Sequence, residues 1–162
     1  MVKIAPAAAV LAASAAPLAW TPLSAGTVTG SIAVSATVEQ ACYLDVRPVR
    51  FAGLPCDAVR AEADSALAVR CTPNTAFVVS MDNGQHHAGG GRRMAAASSE
   101  FLAYELYSDA ARTRRWGASL TESVGGEVSS GSALTLPIYA RVEAVQAKAG
   151  TYTDVVTVTV SF

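Results

Sequence analysis

The sequence predicts an all-β protein built as an antiparallel sandwich, and three observations carry that prediction. Apolar residues recur with a period of two rather than 3.6, turn-forming Gly, Asn and Ser separate the runs, and only residues 57–64 have a helical look. At 162 residues, with 51% apolar and 15% charged residues, the chain is one domain with enough material for its own core. A net charge of −1 argues against nucleic acid as a partner, because phosphate binding needs a cationic surface. No internal repeat or domain linker interrupts the pattern.

The first segment is read as an export signal. Met1-Val2-Lys3 carries one positive charge, an Ala-rich uncharged run from Ile4 to Trp20 follows, and small residues close it at Leu23-Ser24-Ala25. A basic start, an apolar middle and a small-residue exit are the parts of a secretory signal peptide. Cleavage is expected after Ala25, with Ala19 as the second choice, so residues 1–25 are the signal peptide and no membrane span remains after cleavage. The run is Pro-interrupted at Pro6 and Pro17 and short for a span of ~20 residues.

Residues 27–38 come next. Val28, Gly30, Ile32, Val34, Ala36 and Val38 occupy the even positions, against Thr, Ser and Ala on the odd ones. This is a strand pattern with one apolar face, long for a soluble domain. Further strand-like runs follow at 43–51, 67–71, 76–81, 101–108, 134–140 and 152–162. Asn83-Gly84, Gly89-Gly90-Gly91, Gly125-Gly126 and Ala149-Gly150 are the turn signals between them. The last run alternates like the first, with Val156, Val158, Val160 and Phe162 on its apolar side. A domain that starts and ends on long alternating strands has exposed edges that invite pairing. The terminal strands pair within one molecule or one of them serves a neighbour, and periodicity alone leaves both open.

Export places Cys42, Cys56 and Cys71 in an oxidising compartment, where at least two of them should form a disulfide. Three pairings are open on spacing alone. Cys42 and Cys71 border strand-like runs, which suits a bridge between neighbouring strands, and Cys56 sits in a Leu54-Pro55-Cys56-Asp57 turn.

Arg92-Arg93-Met94, the stretch from Leu102-Ala103-Tyr104 through Tyr107-Ser108-Asp109-Ala110-Ala111-Arg112-Thr113, and Trp116-Gly117 together resemble the signature of the spore coat protein U domain. Ala41-Cys42 with Val69-Arg70-Cys71-Thr72, Met81-Asp82-Asn83-Gly84 and the ending from Gly150 to Phe162 are similar to the same family, over nearly all of residues 28–162. The domain is shared with the pilins of archaic (Csu-type) chaperone–usher pili. The resemblance implies an incomplete immunoglobulin-like sandwich that lacks one strand, occupying residues 39–162, with a Cys42–Cys71 disulfide. It implies that a periplasmic chaperone lends the missing strand. At the outer-membrane usher the N-terminal extension of a neighbouring subunit would replace it.

By that resemblance residues 26–38 are the donor-strand extension, with Val28, Ile32, Val34, Ala36 and Val38 as its plug residues. Val156, Val158, Val160 and Phe162 form the strand bordering the groove. The expected role is a secreted structural subunit of a surface pilus, reached through the periplasm and supporting attachment and biofilm formation. The alternative is a spore coat protein or a tip adhesin with its ligand on loops. One departure is the turn at 51–57, where Phe51-Ala52-Gly53-Leu54-Pro55-Cys56-Asp57 replaces the family's usual turn and adds a third cysteine.

Enzymatic readings lack material. His86-His87 lies in a glycine-flanked loop with no nucleophile elbow and no third metal ligand at fixed spacing. Glu122 and Glu127 lie in an expected loop at 117–132, without the cleft that a carboxylate pair needs. No catalytic residue, metal or cofactor is expected. Arg92-Arg93 and Arg112, Arg114 and Arg115 are read as solvated strand ends, and Trp116 as packing.

Overall fold

A computed structural model describes residues 25–55, 58–143 and 147–162. The expected signal peptide (except Ala25) and Cys56 lie outside the described residues. The chain divides after Ala36 into two units, each taken by itself. In the first, residues 25–36 form no strand and all are exposed.

The second unit is a two-sheet sandwich of nine strands among the described residues, with every pairing antiparallel. They are β1 (Cys42–Val46), β2 (Arg60–Cys71), β3 (Thr75–Met81), β4 (Arg92–Ala96), β5 (Phe101–Tyr107), β6 (Val124–Val128), β7 (Leu134–Glu143), β8 (Tyr152–Thr153) and β9 (Val158–Ser161). One sheet has six strands in the order β1-β2-β7-β5-β4-β8, and the other has three in the order β6-β3-β9.

Alternation explains the layering. Leu67, Val69 and Cys71 of β2, Phe77, Val79 and Met81 of β3, and Ile138 and Ala140 of β7 point inward and form one core with Trp116. Trp116 is fully buried, as its packing assignment expects, and its Nε1 donates to the Val79 carbonyl at 3.0 Å. Cys42 and Cys71 are direct cross-strand partners in the β1–β2 ladder and are joined by a disulfide.

The fold departs from the sequence-based expectations at several places, and the run expected at 43–51 is a strand only to Val46. Of the stretch expected to be helical, residues 58–64 are described and are not helical: Arg60 already begins β2, which pairs with β7 from Arg60↔Glu143 onward. Pairing along ten residues of β7 overrides the helix-favouring Ala and Glu of that stretch. Gly125-Gly126 is not a turn but the middle of β6, within the segment expected to be a loop. A Cβ at Gly126 would come within 2.7 Å of the Phe77 ring and 3.2 Å of Leu134 Cδ2, so any side chain there would have to displace the Phe77 ring.

Arg92 is not solvated. It opens β4, which the alternation did not predict, and its side chain is fully buried. Finally, the 152–162 run is not one strand. Tyr152 and Thr153 pair with β4 in the six-stranded sheet, whereas Val158–Ser161 pair with β3 in the other.

Asp154 makes that change of sheet. Its carboxylate, 2% exposed, accepts from the Gln85 and His86 backbone N–H groups at 3.0 and 3.2 Å, from His86 Nδ1 at 2.9 Å and from the Tyr104 hydroxyl at 2.7 Å. Burial, reinforced by Asp154, pushes the Tyr104 hydroxyl far above the ordinary phenol range. Gly84 must lie against this carboxylate. Its φ is +81°, and an added Cβ would fall 2.0 Å from Asp154 Oδ2. Gly84→Ala is therefore expected to cost at least the ~1–3 kcal/mol of a strained left-handed residue, read as a lowered urea midpoint with an unchanged slope.

Candidate functional site

The site is an uncovered strip along one side of the sandwich, and the packing of the two sheets locates it. Residues 116–117 join the two sheets on the β5 side: the Trp116 N–H donates to the Leu106 carbonyl of β5 at 2.8 Å, and the Met81 N–H of β3 to the Gly117 carbonyl at 3.0 Å. β1 and β9 end their sheets away from that junction. On the inner face of β1, Leu44 and Val46 pair with Val69 and Leu67. Those partners are 0% and 1% exposed, whereas Leu44 is 37% and Val46 43% exposed. Inward-pointing aliphatics in a closed sandwich would be buried like their partners. Across the strip, Val156, Val158 and Val160 are half-buried against the core, and Phe162, on the same side of the chain, is 57% exposed. Among the described residues β9 pairs only with β3, so its other edge carries free backbone donors and acceptors.

The structure thus gathers the four residues expected to border the groove, Val156, Val158, Val160 and Phe162, along one edge. Leu44 and Val46 on the opposite bank were missed by the sequence reading. The available signal was their parity with Cys42, whose bridge to Cys71 fixes which face of β1 points inward. The expected plug residues Val28, Ile32, Val34, Ala36 and Val38 lie in no strand and are exposed, the first at 97%.

The groove wall is braced by polar groups at the chain's change of sheet. Asp82 Oδ1 accepts from the backbone N–H of Gly84 and of Thr157, both at 2.9 Å, which holds the start of the β9 segment. Burial alone would raise the Asp82 pKa, but Thr157, Gly84 and Arg92 outweigh it and hold it below the ordinary value. Arg115 likewise lowers Glu122, with bonds of 3.0 and 3.1 Å. Carboxylates depressed in the folded state stabilise it fully above the ordinary carboxylate range of about pH 4, and that stability is lost as pH falls through the depressed values. The melting temperature is expected to drop as pH is lowered from about 4 towards 2, and Asp82→Asn should flatten part of that decline.

The candidates for chemistry are dispersed. His86 is engaged with Asp154 and His87 is exposed. Glu122 is bound to Arg115, and Glu127 is exposed on β6.

A family model for the Spore Coat Protein U domain matches residues 28–159. The chain belongs to the Spore Coat Protein U domain family. Among solved structures it is similar to the CsuC–CsuE chaperone–tip adhesion subunit pre-assembly complex from archaic chaperone–usher Csu pili of Acinetobacter baumannii. That match has 28% identity and a TM-score of 0.58, over 78% of this chain and 41% of the other. A chaperone–tip adhesin complex of CFA/I fimbriae biogenesis matches at 10% identity and a TM-score of 0.50, over 73% of this chain and 41% of the other, a likeness of fold alone. This Spore Coat Protein U chain thus spans about two-fifths of the length of the solved chains it matches. A search of curated proteins found no relative. The fold is all-β, an incomplete immunoglobulin-like sandwich.

Proposed function

We propose that this protein is a secreted structural subunit of a surface pilus assembled by the chaperone–usher pathway. The observation that carries the reading is the uncovered strip: Leu44 and Val46 on one bank, and the free edge of β9 with Phe162 on the other. A periplasmic chaperone occupies the strip first. At the outer-membrane usher the N-terminal extension of a neighbouring subunit, residues 26–38, takes its place. Backbone bonding to β9 supplies affinity, and alternate side chains of the incoming strand fill the apolar space.

Burial of each of Val28, Ile32, Val34 and Val38 contributes roughly 1.5–3 kcal/mol, so a joint made of several is stable without nucleotide or cofactor. A fibre built this way supports attachment and biofilm formation at the cell surface. The family and the likeness to a chaperone–subunit complex of Csu pili support this reading.

Material sheared from the producing cell and run unheated on a denaturing gel should give a ladder that collapses to monomer on heating. Deleting residues 26–38 should abolish the ladder while leaving a folded domain. Monomer in both lanes from the full chain would overturn the pilus reading in favour of a spore coat or tip role. Unfolding on deletion would return the segment to its own sheet.

A further inference from the structure

We infer that the outer face of the six-stranded sheet carries a binding site for an acidic saccharide, over Ala66 and Ala68 of β2. Parity and register build it. Cys42, Leu44 and Val46 point inward on β1, so Tyr43, Asp45 and Arg47 stand on the outer face. Leu67, Val69 and Cys71 point inward on β2, which puts Ala66, Ala68 and Arg70 outside. Tyr43 pairs with Arg70, Asp45 pairs with Ala68, and the Arg47 N–H donates to the Ala66 carbonyl at 3.0 Å. On the other side of β2, Thr135 and Pro137 of β7 are the partners of Ala68 and Ala66. Two methyl groups thus floor the sheet between banks that lie two strand spacings, about 10 Å, apart. The larger part of this hollow, about 460 Å³ beside Tyr43, Asp45 and Arg70, has room for a small ligand. A smaller part of about 110 Å³ continues toward Arg47.

The polar groups around the hollow are uncommitted, whereas those on the rest of the same face are spent on one another. Arg112 holds Glu62 and Asp64 at 3.1 and 2.6 Å, Arg141 holds Glu62 and Glu143 at 3.2 and 3.4 Å, and Arg60 also reaches Glu143. None of these contacts extends to the hollow. Among the described residues the side chains of Tyr43, Asp45, Arg47 and Arg70 have no polar partner, and all four are exposed. The arginines stand at the two ends, about 13 Å apart along the strands, with one carboxylate between them. A complementary ligand brings acidic groups to the ends, hydroxyl donors to Asp45, and an apolar C–H face to the methyl floor and the Tyr43 ring. A saccharide chain carrying carboxylates has all three. A polyanion without hydroxyls is repelled by Asp45, and a neutral sugar leaves both arginines unmatched. The incoming strand of the proposed exchange would lie on β9 rather than on this face, so the site and the exchange stand or fall separately.

The test titrates the full chain, purified after export, with trigalacturonate in a calorimeter. Binding should be measurable and should weaken as salt is added. Arg70→Ala and Asp45→Asn should each weaken it about tenfold or more, the worth of one charge-assisted hydrogen bond. Tyr43→Ala should weaken it too. All three variants should melt with the parent chain, because the altered side chains are exposed. Arg114→Ala, an exposed arginine away from the hollow, should bind like the parent. Cellotriose bound as tightly as trigalacturonate overturns the acidic class, and hexaglutamate bound as tightly overturns the saccharide. Tighter binding by Asp45→Asn reveals contact with a bare polyanion and overturns the site as built. Absence of binding, or binding that every variant keeps, overturns it as well.

Discussion

Replacing Arg92 with alanine should destabilise the domain by roughly 3–5 kcal/mol, the cost of removing one partner from a buried ion pair. Every donor atom of this guanidinium is used. Nη1 binds Glu105 Oε1 at 2.5 Å, Nη2 donates to the carbonyls of Asp82, Met81 and Trp116 at 2.5, 3.2 and 2.8 Å, and Nε donates to Asp82 at 2.9 Å. Those carbonyls end β3 and flank Trp116, so one side chain ties both sheets and the 82–92 loop together. Its loss leaves buried carbonyls without donors, while Glu105 keeps Arg115 at 2.8 Å. Arg92→Lys should recover little, since a compact ammonium cannot reproduce a planar fork with donors in three directions. Thermal unfolding followed by circular dichroism should fall by roughly 10–20 °C for Arg92→Ala. A shift of a degree or two would show that the network is dispensable.

Arg92 also marks where the sequence stopped being legible. Solvated and buried arginines are the same letter, and burial here depends on carbonyls from residues 81, 82 and 116 converging in space. The strands at 67–71, 76–81, 101–108 and 134–140 were readable because every second position is aliphatic or aromatic and faces the core, even though Val78, Phe101 and Tyr139 stand on the outward side. β6 was not, because the glycine that signals a turn is also the residue that fits beneath Phe77. The first half of β2 carries Ala and Glu at helix-favouring density, and only its pairing with β7 makes it a strand. The split of the last run did leave a trace: Asp154 occupies an even position between Tyr152 and Val156 on an otherwise apolar side. A carboxylate on a core face must find donors, and finding them at Gln85, His86 and Tyr104 is what turns the chain from one sheet to the other. Parity with Cys42 marks the inward face of β1, but not its exposure. Exposure of Leu44 and Val46 is a statement about a missing neighbour, which no pattern within β1 records.

Removing the disulfide should lower stability by about 3–4 kcal/mol, because Cys42 and Cys71 close a loop with a sequence separation of 29 residues. The consequence is concentrated on one strand. β1 is an edge strand of five residues that among the described residues pairs only with β2, and its inward Leu44 and Val46 gain little from the core. What fixes it is its ladder with β2, the bond from the Thr72 N–H to the Ala41 carbonyl at 2.9 Å, and the bridge at its first residue. A Cys42→Ser/Cys71→Ser variant should therefore melt roughly 10–15 °C lower. In hydrogen exchange the β1 amides should lose protection before those of β2 and β7. A strand docked in the strip as proposed would cover Leu44 and Val46, and part of the lost protection should then return in sheared surface material that contains the variant. If β1 stays as protected as β2 without the bridge, the edge strand is held by its backbone ladder alone, and the disulfide acts only on the unfolded chain.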